Sequence, residues 1–257
     1  MKKLILQLVL IVSTMIGCCV HSTVMRPEDR PGIIEELKSD TVALIHKDDD
    51  GDWAVWCTGV WVDTDKILTA DHCARAPVEA MVSVINESEE DEEKLDAIVQ
   101  FLEDGFQIQY ITVADSAGVW REPKKVHVAT VLRHDKDHDL ALLQVDPKTA
   151  PPHTVAPIAR QAPAVGDNIH VMGHVAALTW TYTRCMVSAY REENFRVTKK
   201  KGPFMQVAGE VFRGNSGGGG FNDNRELVGI ASFLAPAPNE SFFVHVDSIR
   251  AFLAHRK

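Results

Sequence analysis

Between residues 41 and 246 the apolar positions come in short runs that turn residues interrupt. The runs are "TVALIHK", "WAVWCTGVWV", "KILTA", "MVSVI", "QIQYITVA", "KVHVATVLR", "LALLQV", "NIHVMGHV", "YTRCMVSAY", "FMQVAGEV", "ELVGIASF" and "FFVHV". Several alternate apolar with polar, and most are rich in Val, Ile, Thr and aromatic residues. This is the signature of short strands, and many short strands with turns between them predict an all-β sandwich or barrel arrangement. Two stretches break the pattern. In residues 88–105, Leu95, Ile98, Val99 and Leu102 fall at helical spacing, which predicts an amphipathic helical insertion. The last residues, "VDSIRAFLAHRK", set Ile249, Phe252 and Leu253 on one face. That predicts a C-terminal helix with an Asp-Ser cap and basic residues in its final turn.

The start of the chain has another character. Lys2 and Lys3 precede an apolar run from Leu4 to Ile16, too short for a comfortable transmembrane span. Residues 1–22 therefore read as a secretory leader. Its end, "MIGCC", resembles a bacterial lipobox in which Cys18 is lipidated; plain cleavage near Ser22 is the alternative. The chain is thus expected to be exported to a periplasmic, extracellular or lipid-anchored location, with Cys18 as its membrane attachment if the lipobox reading holds. "VMRPEDRPG" (24–32) then reads as a linker.

Composition narrows the function classes. With 36 acidic against 27 basic residues the net charge is −9, so the chain lacks the electrostatic footprint of a nucleic-acid-binding protein. The acidic stretches 46–52 and 86–96 read as solvated. "DDDGD" lacks the ligand spacing of a calcium loop and is expected to form a turn on Asp50-Gly51. Export permits disulfides. With Cys18 and Cys19 in the leader, Cys57 and Cys73 can close a loop between neighbouring strands. Cys185 is left over as a small buried hydrophobe.

Three segments carry candidate chemistry. "ILTADHC" (67–73) ends a strand-like run on His72. "HDKDHDLALLQV" (134–145) places Asp139 before an apolar strand. "FRGNSGGGG" (212–220) sets Ser216 in a glycine-rich turn whose amides can face an oxyanion. A serine hydroxyl needs an imidazole to take its proton and a carboxylate to orient that imidazole. The order His72, Asp139, Ser216 differs from the orders of α/β-hydrolases and subtilisins and matches the chymotrypsin-like one.

These blocks resemble the three catalytic blocks of the chymotrypsin/trypsin-like serine protease family, in its bacterial, HtrA-like form. "VGDNIHVMGH" (165–174), "MVSAYR" and "LVGIASF" (227–233) resemble further strands of the family, over roughly residues 33–257. The resemblance implies two six-stranded antiparallel β-barrels, residues 33–150 with His72 and Asp139 and residues 151–257 with Ser216. It implies a Cys57–Cys73 disulfide flanking His72. It implies His72 as general base then acid, Asp139 as its orienting carboxylate and Ser216 as nucleophile. The amides of Gly214 and Ser216 become the oxyanion hole, and protein or peptide chains the substrates.

The departures are informative too. Asn215 replaces the Asp that pairs with a new amino terminus in digestive enzymes, so no activating cleavage near Gly32 is expected. Asp71 replaces a small residue and is expected to face solvent. No PDZ segment follows the protease part, which argues against a full HtrA-type chaperone. For substrate binding, a gapless reading puts Glu210 at the pocket floor, Arg213 on its rim and Phe233 on its wall, with Ser232 on the substrate-pairing strand. The disulfide that braces this pocket in the family is missing, so the loop can run differently and leave Glu210 facing solvent. His134 and His138, with Asp135 and Asp137, read as a solvated loop, and neither metal nor cofactor is expected. The alternative function is a catalytically silent protease fold used for binding or surface interaction.

Overall fold

The computed structural model describes residues 32–48, 50–75, 107–115, 123–175, 178–192, 200–209, 211–234 and 239–255. The leader with Cys18, the expected strand at 81–85, the helical insertion at 88–105 and Glu210 lie outside the described residues.

Six strands form the first barrel: β1 (Thr41–Lys47), β2 (Trp53–Asp63), β3 (Lys66–Thr69), β4 (Gln107–Ile111), β5 (His127–Asp135) and β6 (Leu140–Val145). It closes in the order β1-β2-β3-β6-β5-β4 with antiparallel pairs throughout. The turn between β1 and β2 carries Gly51 at φ 82°, where the backbone needs a left-handed residue. The second barrel holds β7 (Asn168–Val175), β8 (Leu178–Arg191), β9 (Phe204–Ala208), β10 (Gly219–Phe221), β11 (Leu227–Leu234) and β12 (Glu240–His245). Its order is β10-β11-β12-β9-β8-β7, again antiparallel. Barrel closure leaves no unpaired sheet edge, which suits a chain made of many short strands.

Each barrel fills its own interior. Trp61, Tyr110 and Leu143 pack inside the first, with the Trp61 and Tyr110 rings edge to face at 5.8 Å. Ile169, Val207 and Phe243 pack inside the second. A third cluster joins residues of both barrels, among them Leu68, Leu140, Met172 and Phe221. Full burial of such side chains contributes roughly 1.5–3 kcal/mol each, so the joint between the barrels is a hydrophobic core in its own right.

Two helices brace this joint. α1 (Ile33–Asp40) was not expected from the sequence; it buries Leu37 in the shared cluster. Asp40, fully buried at its end, accepts two hydrogen bonds from Arg225, Nε to Oδ2 at 2.7 Å and Nη2 to Oδ1 at 2.8 Å, and one from Thr154 Oγ1 at 2.5 Å. Such fork-to-fork geometry offsets much of the cost of burying a carboxylate. α2 (Val246–Ala254) is the expected C-terminal helix, with two corrections. Its cap is the ring of His245, which accepts from Asp247 N at 3.1 Å, and it ends before the basic residues.

Candidate active site

β3 ends at Thr69, and residues 71–75 form a helical turn that carries His72. The turn is pinned from behind by the Cys57–Cys73 disulfide, whose Cα atoms are 6.0 Å apart. Opposite, the turn between β5 and β6 places Asp139 one residue before β6. Its φ of 56° is unusual for a residue with a side chain. A left-handed non-glycine residue costs of order 1–3 kcal/mol and persists where its surroundings over-determine it. Here they do. Asp139 is 1% exposed and accepts from His72 Nδ1 at 3.0 Å on both oxygens and from His72 N at 3.1 Å. Ser232 Oγ donates to Asp139 Oδ2 at 2.5 Å, and Lys200 Nζ donates to the same oxygen. Burial pushes the Asp139 carboxyl up. The hydrogen bond and charge of His72, then the charge and hydrogen bond of Lys200, outweigh it and hold the group well below the usual carboxylate range. Asp139 is therefore ionised at neutral pH. His72 presents Nδ1 to it and keeps Nε2 without a hydrogen bond among the described residues.

The Ser216 turn is held against the first barrel by Thr58 of β2. Thr58 N donates to Ser216 O at 2.8 Å, and Thr58 Oγ1 to Gly214 O at 2.7 Å. The amides of Asn215, Gly217 and Gly218 are taken, by Phe212 O, Ala231 O and Asn215 O. Those of Gly214 and Ser216 donate to nothing among the described residues. Gly217 sits at φ 79°, and a Cβ there would lie 2.0 Å from Thr69 Oγ1 and 2.3 Å from Thr58 O. The close approach of the two barrels beside Ser216 thus demands glycine. Asn215 is 1% exposed and packs against Gly173.

Beside Ser216 lies a pocket of about 260 Å³. Arg213, Ser232, Phe233, Phe212 and Phe242 are among its lining residues. No carboxylate is found in this lining among the described residues. Ser232 does more than border it, since its hydroxyl is committed to Asp139.

Sequence reasoning missed Lys200 and Thr58 and misjudged Asp71. Asp71 is fully buried, not solvent-facing; Arg75 Nε donates to its Oδ2 at 2.5 Å, and His134 Nδ1 lies 3.0 Å from its Oδ1. The i, i+4 spacing of Asp71 and Arg75 was a usable signal. His134 is likewise engaged, and His138 pairs with Asp135 at 2.8 Å. Cys57, His72 and Cys73 bring potential ligand atoms within 4.8 Å of one another. The two sulfurs are bonded to each other, so the group has no thiolate to offer a metal.

Two antiparallel barrels with a His, Asp and Ser brought to their joint define the fold class of the chymotrypsin-like serine proteases. The family model of the trypsin-like peptidase domain matches residues 57–230, and the chain belongs to that family. Among curated proteins, the magnetosome formation protease MamE of Paramagnetospirillum magneticum is 31% identical over 134 residues, 52% of this chain and 17% of that protein. The serine endoprotease DegS of Escherichia coli K12 is 31% identical over 130 residues, 51% of this chain and 36% of DegS. The chain thus spans well under two thirds of the length of the curated relatives it matches. Among solved structures, the active form of the Rv3671c protease of M. tuberculosis superposes with a TM-score of 0.60 at 15% identity, covering 88% of this chain and 86% of that one. The serine endoprotease of Yersinia pestis gives 0.57 at 20% identity, over 86% and 64%. At these identities the likeness speaks to the fold alone.

Proposed function

We propose that this chain is a serine endopeptidase that cuts protein or peptide substrates through an acyl-enzyme. His72 Nε2 takes the Ser216 Oγ proton as Oγ attacks the scissile carbonyl. Asp139, ionised and buried, keeps Nδ1–H oriented and stabilises the imidazolium. The amides of Gly214 and Ser216 receive the oxyanion; losing one such donor costs roughly two to three orders of magnitude in rate. His72 then returns its proton to the leaving amine, and water repeats the sequence on the ester. The observation that carries this reading is the fourfold ligation of Asp139 with His72 Nδ1 turned onto it, across from a clamped Ser216 turn. We assign His72 and Asp139 to an N-terminal barrel of residues 33–150, and Ser216 to a second of residues 151–257.

Three phenylalanines around the pocket favour an apolar side chain at the cleaved position. A set of fluorogenic peptides with Leu, Val, Phe, Lys or Arg at that position tests both points. Hydrolysis that Ser216→Ala abolishes, with apolar residues preferred, supports the reading. A Lys or Arg preference that Glu210→Ala removes restores the acidic floor expected of Glu210. No hydrolysis or probe labelling of the folded protein favours a silent binding scaffold.

The leader at 1–22 supports export. Intact mass of the mature protein distinguishes lipid on Cys18 from cleavage near Ser22. Among the described residues no helix is long and apolar enough to cross a membrane.

A further inference from the structure

Asp139 has a charged partner besides the His72 ring, the ammonium of Lys200. Lys200 stands where the connection from β8 returns toward β9, in the second barrel. Its Nζ donates to Asp139 Oδ2 and to Ser232 Oγ, the latter at 3.1 Å, and lies 5.5 Å from the centre of the Phe233 ring. The side chain is 18% exposed. The neighbouring residue is fastened as well. Lys201 N donates to Asp137 O at 2.7 Å, and Lys201 Nζ to Asp137 Oδ2 at 2.5 Å. The turn that carries Asp139 is thereby tied to the second barrel through its backbone and through two ion pairs.

The electrostatic consequence follows from the sharing. The Asp139 carboxylate favours protonation of the His72 ring, and the Lys200 ammonium bonded to that same carboxylate adds a field of opposite sign that disfavours it. Around the turn Asp71 pairs with Arg75 and His134, Asp135 with His138 and Asp137 with Lys201, Arg133 Nη2 donates to Phe252 O, and Lys136 is exposed with no ion pair among the described residues.

We propose that Lys200 is a positioning residue of the hydrolytic site: it fixes Asp139 Oδ2 and tempers the carboxylate's hold on the His72 imidazolium, which keeps the base free to lower pH. This rests on the triad reading above. A general base works only when unprotonated, so the acidic limb of the pH profile reports the effect directly.

The test is the second-order rate of Ser216 labelling by a fluorophosphonate probe from acidic to alkaline pH, for wild type, Lys200→Met, Lys200→Gln and Lys200→Arg. Removing a partly buried charge one carboxylate away is expected to raise the acidic limb by about one pH unit, roughly ten-fold lower labelling on the acid side, with a smaller change on the alkaline plateau. Lys200→Met and Lys200→Gln both show this shift. Lys200→Arg keeps the limb of the wild type, whatever it costs at the plateau. Gln retains a hydrogen-bond donor, so it reads the charge alone should the Met variant fail to fold. A Gln limb that superimposes on wild type, or an Arg limb that moves as far as Gln, overturns the role given to Lys200 while leaving the triad standing. No labelling of wild-type Ser216 at any pH overturns the triad reading and this inference with it.

Discussion

Thr58 and Ser216 meet across the two barrels: the amide of Thr58, in β2, donates to the carbonyl of Ser216 at 2.8 Å. The Thr58 hydroxyl holds Gly214 O at 2.7 Å, and Thr58 O in turn accepts from Thr69 Oγ1 at 2.7 Å. One residue of the first barrel therefore sets both ends of the turn that bears Ser216. Thr58→Val keeps the volume and the backbone bond but leaves Gly214 O without its hydroxyl donor. Stability is expected to fall by about 1 kcal/mol, whereas labelling of Ser216 falls about ten-fold or more, because release of the Gly214–Asn215 peptide loosens the Gly214 amide next to it. Equal labelling rates for the two proteins would show that the turn is held by its own hydrogen bonds.

The Asp40–Arg225 pair predicts a stability effect far from the chemistry. Asp40 closes α1 and is fully buried, while Arg225 sits at φ 64° in the turn before β11. Arg225→Met leaves a buried carboxylate with only Thr154 as a partner among the described residues, so unfolding in urea is expected to show a loss of about 3 kcal/mol. The double variant Asp40→Asn, Arg225→Met recovers part of it. A single variant as stable as wild type contradicts the bracing role of α1.

Acid stability is expected to follow His174. Its ring is fully buried, and Nδ1 accepts from Trp180 N at 3.1 Å, which requires the neutral form. Burial pushes its pKa down to about 3 from the ordinary 6.5. The unfolded chain takes up a proton that the folded one refuses, so this stability is complete above 6.5 and drains as pH falls toward about 3. At about pH 4.5 the loss amounts to roughly 2–3 kcal/mol. Asp139 acts lower: its depressed carboxyl withdraws stability only below the ordinary carboxylate value of 3.8. Urea unfolding at pH 7 and about pH 4.5 should show a smaller acid loss for His174→Gln than for wild type. Identical losses would assign the effect elsewhere.

How much of this was legible can be judged from particular elements. β1 and β6 fall on the apolar runs that announce them, because their alternation or full burial is written in Val, Ile and Leu. β10 was missed. It has three residues, two of them glycines that let Phe243 and Phe221 approach, so it carries no period. α1 abuts β1 without a turn signal, and its single buried leucine gives too little periodicity to see. The blocks around His72, Asp139 and Ser216 were visible because each is local. Lys200 was not, since a run of three lysines reads as solvated and only the tertiary fold carries one of them to Asp139. Cys185 finds its reason in a partner that sequence does not pair with it. A Cβ on Gly209 would lie 2.5 Å from its sulfur, and burial pushes the thiol up to about 11, so it is an inert space-filler.

The most direct measurement is covalent labelling of the purified protein with a fluorophosphonate, the adduct being mapped by mass spectrometry. The account predicts one adduct, on Ser216, lost in His72→Ala and sharply slowed in Asp139→Asn. A folded protein that stays unlabelled, or one labelled equally well without His72, would contradict the claim that these three side chains work as a relay.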